Sequence, residues 1–434
     1  MKVLLIGSGG REHALARKLV GGTTAVTLFA APGSDALAEL GTCLPLQGED
    51  VAGLRAWAEA NRPDLVVVGP EAPLVAGVSE ALTALDIPVF GHPQATAQLE
   101  GSKAFAKAFM ERHGIPCAAS HTVSSFEAGA ALIEAWPHRY PVVLKADGLA
   151  AGKGVVLAAS KAEALATLRS FMDGQFGDAS RTVVLEQALF GMELSQHVLV
   201  DVTAEHARFA MLPACQDHKR IFEGDQGPNT GGMGAFGPLP FLRPEDIERL
   251  RTELVEPTVK GLQKDGLVGR GVLFLGVMYD DRGPKLLEYN VRFGDPETQV
   301  LMELLDEDLA GLLKAVAEQK LDRSTVKLKA GCAITFVLAA EGYPETAKKG
   351  VPIALEAPAL TVIHAGTKKV DGVWTTNGGR VMNLVAVAPD LEAARAKVLA
   401  EAPKAQWPGR QMRADIGLKA LNHARAGKTV LDPW

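Results

Sequence analysis

The sequence predicts an α/β protein that begins with a doubly wound parallel sheet. Over the first hundred residues, short apolar segments alternate with amphipathic ones, and the apolar segments are VLLIG, VTLFA, LVVVG and IPVFG. Buried strands separated by helices are typical of a parallel sheet covered on both faces. From about residue 326, apolar segments such as AGCAITFVLAA and RVMNLVAVA predict a mainly antiparallel C-terminal α+β module.

The spacing of apolar residues predicts the remaining elements. Helical spacing indicates helices at 11–20, 51–62, about 102–113, 161–172 and 298–317. Residues 120–190 predict a compact strand–helix–strand unit, and the two apolar segments around DDRGP predict a hairpin. The segment at 216–240 is rich in glycine and proline and predicts an ordered active-site loop.

Composition limits the class of protein. A chain of 434 residues with 47% apolar and 22% charged residues is typical of a globular protein of two to four modules. A net charge of -6 argues against nucleic acid as a partner. The four cysteines are far apart, which argues against a zinc site or a disulfide framework. No apolar run approaches the roughly 20 residues of a membrane helix, so we expect a cytoplasmic protein without a membrane partner.

The first glycine turn, GSGGREHA, excludes a dinucleotide site. Gly7 and Gly9 match the start of G-x-G-x-x-G, but Glu12 occupies the third glycine position. Glycine amides at a helix N-terminus beside Arg11 would still suit a phosphate monoester, although a simple packing turn is an equal alternative.

In GPEAPL, Glu71 at a strand end could orient a sugar hydroxyl or an amine, unless it lies in a solvated turn.

The segment KADGLAAGKGV predicts phosphate binding outside the usual P-loop pattern. Gly148, Gly152 and Gly154 let the backbone approach an anion, and Lys145 and Lys153 supply positive charge. The spacing fails G-x-x-x-x-G-K-[ST], and a surface hairpin is the alternative. A single lysine at the start of the preceding helix, Lys103, is a weaker candidate.

The segment LLEYNVRFGDPETQ carries the sharpest signal. On a strand, Glu288, Asn290 and Arg292 point to one face. A carboxylate and an amide oxygen suit Mg²⁺, which takes one or two protein oxygens plus nucleotide phosphates. Arg292 beside them could hold a phosphoryl group or an acyl phosphate. A merely solvated strand face is less probable because the flanking segments are apolar.

Two other polar segments are ambiguous. Glu186 and Glu193 follow a predicted strand and could equally be exposed loop acids. QDHKR would bring Asp217, His218 and Lys219 together, and nothing there resembles a serine or cysteine triad.

Nine segments in order resemble the phosphoribosylamine–glycine ligases of the ATP-grasp superfamily, over essentially the whole chain: GGREHAL, VGPEAPL, LEGSKAF, KADGLAAGKGV, CQDHKR, GPNTGGMGA, RFGDPETQ, HAGT and TNGGRV. The resemblance implies an ATP-grasp body with an inserted lid. It implies a phosphoribosylamine-side domain at 1–101, a central domain at 102–120 and 190–325, a lid at 121–189 and a C-terminal domain at 326–434.

The resemblance also implies roles for individual residues. The nucleotide would be bound by phosphate-contacting Lys103 and Lys145, a lid loop with Gly152, Lys153 and Gly154, an adenine segment at Glu186 and a ribose acid at Glu193. Glu288 and Asn290 would bind Mg²⁺ or Mn²⁺. Gly10, Arg11 and Glu71 would bind phosphoribosylamine, and Asp217, Lys219, Arg292 and Asp295 would line the reaction centre.

The implied reaction joins glycine to 5-phosphoribosylamine with ATP through a glycyl phosphate, a step of purine synthesis, and we expect a monomer. Ser34, Met192 and Cys215 depart from residues common in the family, and the roles of His364 and Asn377 stay open. Two alternatives remain: an ATP-grasp ligase or carboxylase for another acid and amine, and a nucleotide sensor without turnover.

Overall fold

The computed structural model describes residues 1–148, 154–175, 177 and 181–432. Its first hundred residues form a parallel sheet, as predicted, and this sheet has five strands with the first strand in the middle. The spatial order is Thr42–Cys43, Thr27–Pro32, Lys2–Gly7, Leu65–Val68 and Val89–Phe90. The helices of this region are Gly10–Val20, Asp35–Ala38, Val51–Asn61, Glu71–Val75, Val78–Thr83 and Gln94–Gly101. The middle strand is buried from Val3 to Gly7, which explains its continuous apolar sequence.

A second, antiparallel sheet of four strands follows and has a core of its own. Its spatial order is Ser120–Val123, Val183–Gln187, Val142–Ala146 and Val155–Ala158. Helices Phe126–Glu134 and Lys161–Met172 pack on it. The predicted strand–helix–strand unit is confirmed, with one more strand and helix at its start. The glycine-rich loop between the strands at 142–146 and 155–158 includes Gly152 and Lys153, which lie outside the described residues.

The third sheet contains the predicted hairpin. Its strands are Ala207–Met211, Met192–Val202, Gly269–Asp280 and Gly283–Asn290, in that spatial order and all antiparallel. Asp280 Oδ1 accepts hydrogen bonds from the backbone of Arg282 and Gly283 and so fixes the DDRGP turn. The helices of this region are Lys103–Arg112, Pro244–Arg249, a π-helical turn at Leu250–Val255, and Glu256–Lys264.

The single helix predicted at 298–317 is wrong, because the chain forms two helices, Glu297–Leu304 and Leu309–Ala317. Asp308 caps the second helix by accepting from the Gly311 amide at 2.9 Å. The same carboxylate accepts from the amide and hydroxyl of Thr24, near the start of the chain. This long-range contact fixes the break within an otherwise continuous helical pattern.

The fourth sheet has five antiparallel strands: Gln216–Asp217, Gly234–Gly237, Cys332–Ala339, Arg380–Ala388 and Thr361–His364. The first two come from the segment predicted as an active-site loop, which also forms a hairpin of Arg220–Phe222 and Gln226–Asn229 with a 3-10 turn at Glu223–Asp225. The remaining elements are ribbons of Thr367–Val370 with Val373–Thr376 and of Ala354–Leu355 with Ala405–Gln406, helices Leu391–Glu401 and Leu418–Arg425, and a 3-10 turn at Ala402–Lys404.

These sheets confirm the predicted fold class, while the domain boundaries stay a prediction. Within the described part of the chain, no helix has the length and apolar character needed to cross a membrane.

Candidate active site

One cavity of about 450 Å³ brings together most of the predicted site residues. The predicted residues along its wall are Arg11, Glu71, Lys103, Lys145, Gly154, Glu186, Glu288, Asn290, Arg292 and Asp295. They come from helices of the N-terminal region, from the helix Lys103–Arg112, from the second sheet, and from the third sheet, here called the hairpin sheet, with the turn that follows it. Gly10, Glu193, Asp217 and Lys219 are not among the described residues along that wall.

The first glycine turn packs around the side chain of Glu12. The Glu12 carboxylate accepts from the Gly9 amide at 2.7 Å and from Arg11 Nε at 2.6 Å. A Cβ at Gly7 would lie 2.5 Å from Glu12 Cγ, so glycine is required at that position, which also has a φ of +130°. Glu12 thus occupies the third glycine position as a buried helix cap, and Arg11 is held with its Nη1 on the Phe293 carbonyl at 3.1 Å.

Gly10 serves packing rather than the cavity wall. A Cβ at this position would lie 3.0 Å from Gln299 Nε2 and 3.1 Å from Asn383 Nδ2. The residue therefore lets the first helix approach the strand Arg380–Ala388. No described contact brings it to the cavity.

Arg292 is held by four acceptors at the centre of the cavity. Its Nη2 donates to Glu100 Oε1 at 2.9 Å and to Asn290 Oδ1 at 3.0 Å, and its Nε donates to Glu71 at 3.3 Å. The Nη1 group donates to the Phe293 carbonyl at 3.4 Å. Burial acts to lower the pKa of Arg292, but the two glutamates outweigh it and raise that pKa, so the side chain stays charged. Glu100 was missed by the sequence analysis.

The lysine side of the cavity surrounds one buried carboxylate. Glu186 lies 3.0 Å from Lys145 Nζ and 3.3 Å from Lys107 Nζ. Lys107 follows Lys103 by one helical turn and lines the same cavity, although its own side chain is almost fully buried. Two lysines pair with this one glutamate and Lys103 lines the same cavity, so these four side chains together carry a net positive charge, which suits phosphate oxygens. Lys107 was also missed, because a lysine on an amphipathic helix usually faces solvent.

Glu288 and Asn290 fit a magnesium site completed by a ligand. Both line the cavity. Burial acts to raise the pKa of Glu288, yet nearby lysines, Lys219 first, lower it overall, so the carboxylate is an anion. The described residues contain no group of three or more acidic, histidine or cysteine side chains able to hold a metal ion. A divalent ion here would therefore need phosphate oxygens and water as further ligands, which is the usual magnesium arrangement.

The predicted pair Asp217 and Lys219 lies beside the cavity. Lys219 Nζ binds the Glu193 carboxylate, so the predicted reaction-centre lysine and ribose acid are direct partners. Burial and the neighbouring Glu297 raise the pKa of Asp217. Glu297 is buried, accepts from Ser195 Oγ at 2.8 Å, and was not predicted as a site residue.

The C-terminal sheet supplies Arg380, a further site residue that the sequence analysis missed. Its Nη1 donates to the carbonyls of Asp295 and Gly231, each at 2.6 Å, and its Nη2 lies 3.2 Å from Asp295 Oδ2. Burial acts to raise the pKa of Asp295, but Arg380 and Arg11 lower it overall. Arg380 lines the cavity, and it belongs to the TNGGRV segment.

His364 and Asn377 have structural contacts. The backbone amide of His364 donates to His13 Nδ1 at 2.8 Å, and the two aromatic rings of His364 and Trp374 lie 4.3 Å apart. Burial lowers the pKa of His364 to about 4, so the ring is neutral near pH 7. The Asn377 amide donates to the Gly366 carbonyl at 2.7 Å. These contacts join the first helix to the C-terminal sheet and explain the HAGT segment by packing.

Comparison with known proteins identifies the family. Models of the N domain, the ATP-grasp (A) domain and the C domain of phosphoribosylglycinamide synthetase match residues 1–100, 101–298 and 333–419. The chain belongs to this family. It is 46% identical over 429 residues to the phosphoribosylamine–glycine ligase of Agrobacterium fabrum, covering 98% of this chain and 100% of the relative. The predicted resemblance and the predicted enzyme class are confirmed.

Solved structures agree with this assignment. The phosphoribosylamine–glycine ligase of Thermotoga maritima superposes with a TM-score of 0.84 at 34% identity, covering 96% of this chain and 100% of that chain. The biotin carboxylase domain of the Hydrogenobacter thermophilus 2-oxoglutarate carboxylase, in a complex with ADP and magnesium, gives 0.74 at 18% identity. That pair covers 99% of this chain and 95% of the other, and it shows a shared fold.

The three departures from the family pattern are accommodated locally. Ser34 Oγ accepts from the Leu37 amide at 3.3 Å and caps a short helix. Met192 is buried and pairs with Tyr279 across the hairpin sheet. Cys215 is buried and exchanges two backbone hydrogen bonds with Ser195. None of the three lines the cavity wall described here.

Proposed function

We propose that this enzyme joins glycine to 5-phosphoribosylamine and converts ATP to ADP and phosphate, giving glycinamide ribonucleotide for purine synthesis. The observation that carries the proposal is the cavity in which Arg292, the lysines and the Glu288–Asn290 pair face one another, within a chain of this family. The curated relatives named phosphoribosylamine–glycine ligase, of which Agrobacterium fabrum supplies one, support the substrates.

The lysines and the glycine-rich loop bind the nucleotide. Lys103 and Lys145 neutralise phosphate oxygens, Gly154 lets the backbone approach them, and the predicted role of Gly152 and Lys153 in binding the nucleotide is part of the proposal. Glu186 holds Lys145 in place and its strand meets the base, and Glu193 meets the ribose. Because ATP and a glycine carboxylate are both anions, these cations are needed before the two can approach.

Arg292 stabilises the phosphoryl group during transfer. The glycine carboxylate oxygen attacks the γ-phosphorus, the bond to the β–γ bridging oxygen breaks, and glycyl phosphate and ADP result. The amine of the sugar phosphate then attacks the glycyl carbonyl and phosphate leaves. Arg11 and Glu71 would bind the sugar phosphate from the cavity wall, the backbone of Gly10 would contribute from the turn behind Arg11, and Asp217, Lys219 and Asp295 would orient the reacting groups. No side-chain nucleophile is needed, in line with the absence of a triad from the sequence.

Glu288 and Asn290 would hold Mg²⁺ or Mn²⁺. When bound, the ion neutralises charge on the β- and γ-phosphates. We further propose that the protein is a monomer, which the elution volume in size-exclusion chromatography would check. The domain limits given above are also part of the proposal.

The test is ADP release by the purified protein with ATP, magnesium and glycine, with and without phosphoribosylamine made in the cuvette from ribose 5-phosphate and ammonia. We expect ADP only when both co-substrates are present, together with a product of the mass of glycinamide ribonucleotide. ATP binding without turnover would contradict the proposal and favour the nucleotide sensor. ADP release with a different acid or amine, and none with this pair, would indicate another ATP-grasp reaction.

Arg292→Ala supplies the control within the chain. We expect a folded protein that has lost roughly 10²–10³-fold in turnover, as when one preorganised donor to transition-state charge is removed. Unchanged turnover would remove Arg292 from catalysis while leaving the family assignment intact.

A further inference from the structure

Arg292 has two glutamate partners that differ in how firmly they are held. Glu100 Oε1 accepts from Arg292 Nη2 at 2.9 Å, and Glu100 Oε2 accepts from the Val291 amide at 2.7 Å. Its side chain is 9% exposed. Glu71 contacts Arg292 once, through Nε at 3.3 Å, and its side chain is 31% exposed. Glu100 is thus fixed at both oxygens, whereas Glu71 is joined to the arginine by one long hydrogen bond.

This difference sets which glutamate can leave the arginine. Moving Glu100 would leave the buried backbone amide of Val291 without its acceptor and would break a short, charge-assisted hydrogen bond to Arg292. Moving Glu71 would break one long contact in a place that water or a ligand can reach. Arg292 would keep Glu100 as counter-ion in that case, so no unpaired charge would be buried.

We propose that Glu100 is a positioning residue that holds Arg292 so that Glu71 can exchange the arginine for an N–H of the substrate amine. This inference rests on the proposed function, which puts Glu71 among the residues that bind phosphoribosylamine, and it assigns Glu71 to the amine of that substrate. Without Glu100, Glu71 is the one carboxylate among the described residues that still accepts a hydrogen bond from Arg292, so it is less available to the substrate. The hydrogen bond from Arg292 to Glu100 therefore affects how tightly the enzyme binds the substrate amine.

The inference makes the effects of the two glutamates interdependent. In wild-type enzyme, Glu71→Gln should raise the KM for phosphoribosylamine about tenfold, because one hydrogen bond to an anion is lost. In a Glu100→Gln background Glu71 is already engaged, so adding Glu71→Gln should change that KM less than about twofold. Glu100→Gln alone should raise the same KM and also lower kcat, since Arg292 would be displaced toward Glu71.

The experiment is a double-mutant cycle on KM and kcat with phosphoribosylamine generated in the cuvette. Glu111→Gln is the matched control, since Glu111 is an exposed glutamate of the next helix away from the cavity. Thermal unfolding of each variant reports whether it is folded at the assay temperature. If Glu100→Gln does not fold, Glu100→Asp replaces it, because its shorter side chain cannot span both Val291 and Arg292. In that background Glu71→Gln should raise KM by less than half of its wild-type factor.

Three outcomes would overturn the inference. The first is a Glu71→Gln effect of the same factor in both backgrounds. The second is a Glu100 variant with wild-type KM and kcat, and the third is no effect of Glu71→Gln on wild-type KM. Product formation by wild-type enzyme separates these failures from failure of the proposed function, because absence of product would overturn both.

Discussion

Replacing Arg380 by alanine would test whether the C-terminal sheet takes part in the active site. Arg380 reaches from the strand Arg380–Ala388 to the carbonyls of Asp295 and Gly231 and to the Asp295 carboxylate. It is thus the described link between the RFGDPE turn and the GPNTGGMGA segment. Its removal would take one support from each segment, while Asp295 keeps its hydrogen bond from Gln299 and the Gly231 amide keeps its bond to the Tyr343 hydroxyl.

The size of the effect follows from these contacts. Two hydrogen bonds to carbonyls and one partly exposed ion pair would be lost, and water can replace part of them because the Arg380 side chain is 21% exposed. We expect a loss of about 2 kcal/mol in the free energy of unfolding. A turn that shifts by about 1 Å beside the reacting groups should lower kcat/KM roughly 10²-fold.

The assay is ADP release with both co-substrates, together with chemical unfolding of the same preparations. Arg395→Ala is a matched control, because Arg395 lies in the same C-terminal region and donates to the carbonyls of Ala414 and Ile416 at 2.9 and 2.5 Å. It does not line the cavity. Arg380→Lys should be intermediate, since it keeps the charge near Asp295 but lacks the fork that reaches three acceptors.

Equal kinetic effects in Arg380→Ala and Arg395→Ala would refute this reasoning. The C-terminal sheet would then act on activity only through overall stability. A wild-type kcat/KM in Arg380→Ala would refute it as well.

Three further predictions concern other parts of the cavity. Glu288→Gln should raise the magnesium concentration for half-maximal turnover at least about tenfold, and a chelator should abolish wild-type turnover. Lys107→Met should lower the free energy of unfolding by roughly 1–3 kcal/mol, measured in denaturant, because buried Glu186 loses one of its cations. Asp295 has a folded-state pKa below its ordinary value of 3.8, so its charge stabilises the fold above about pH 4 and that contribution is lost as the pH falls. The stability difference between wild type and Asp295→Asn should therefore be constant from pH 5 to 7 and shrink below about pH 4.

Each of these has a contrary result. An unchanged magnesium requirement in Glu288→Gln would remove that residue from the metal site. If Lys107→Met has the same free energy of unfolding as wild type, the ion pair between Lys107 and Glu186 does not contribute to stability. A stability difference in Asp295→Asn that is equal at pH 3 and pH 7 would mean that its charge contributes nothing to folding.

The sequence predicted those features that depend on local pattern. Continuous apolar strands predicted the N-terminal sheet. The alternation of side chains along a strand predicted that Glu288 and Asn290, in the strand Gly283–Asn290, share a face with Arg292. Arg292 lies beyond the end of that strand, yet its Nη2 reaches Asn290 Oδ1 and confirms the shared face. Residues that neighbour one another along a strand can be placed in this way because the pleat alone fixes their direction.

The features that were missed depend on contacts between distant parts of the chain. Glu100 and Lys107 stand at polar positions of helices, where solvent exposure is the usual expectation, and only the packing of other elements buries them. Arg380 is separated from Asp295 by 85 positions, and a lone arginine carries no spacing signal. The helix break at Asp308 depends on Thr24, which no window of local sequence includes.

The mixed origin of the five-stranded antiparallel sheet has a consequence for dissecting this enzyme. Its strands Gln216–Asp217 and Gly234–Gly237 bracket the segment that carries Lys219 and pair with each other, while Cys332–Ala339 pairs with the other edge of Gly234–Gly237. A fragment that ends before residue 332 would expose the unpaired edge of Gly234–Gly237 and lose the support beneath Asp217. The ATP-grasp and C-domain models divide the sequence at 298–333, but this sheet joins strands from both sides of that division. A crossover between two relatives within residues 299–331 would pair strands from different parents in this sheet, so we expect such hybrids to be less stable than either parent.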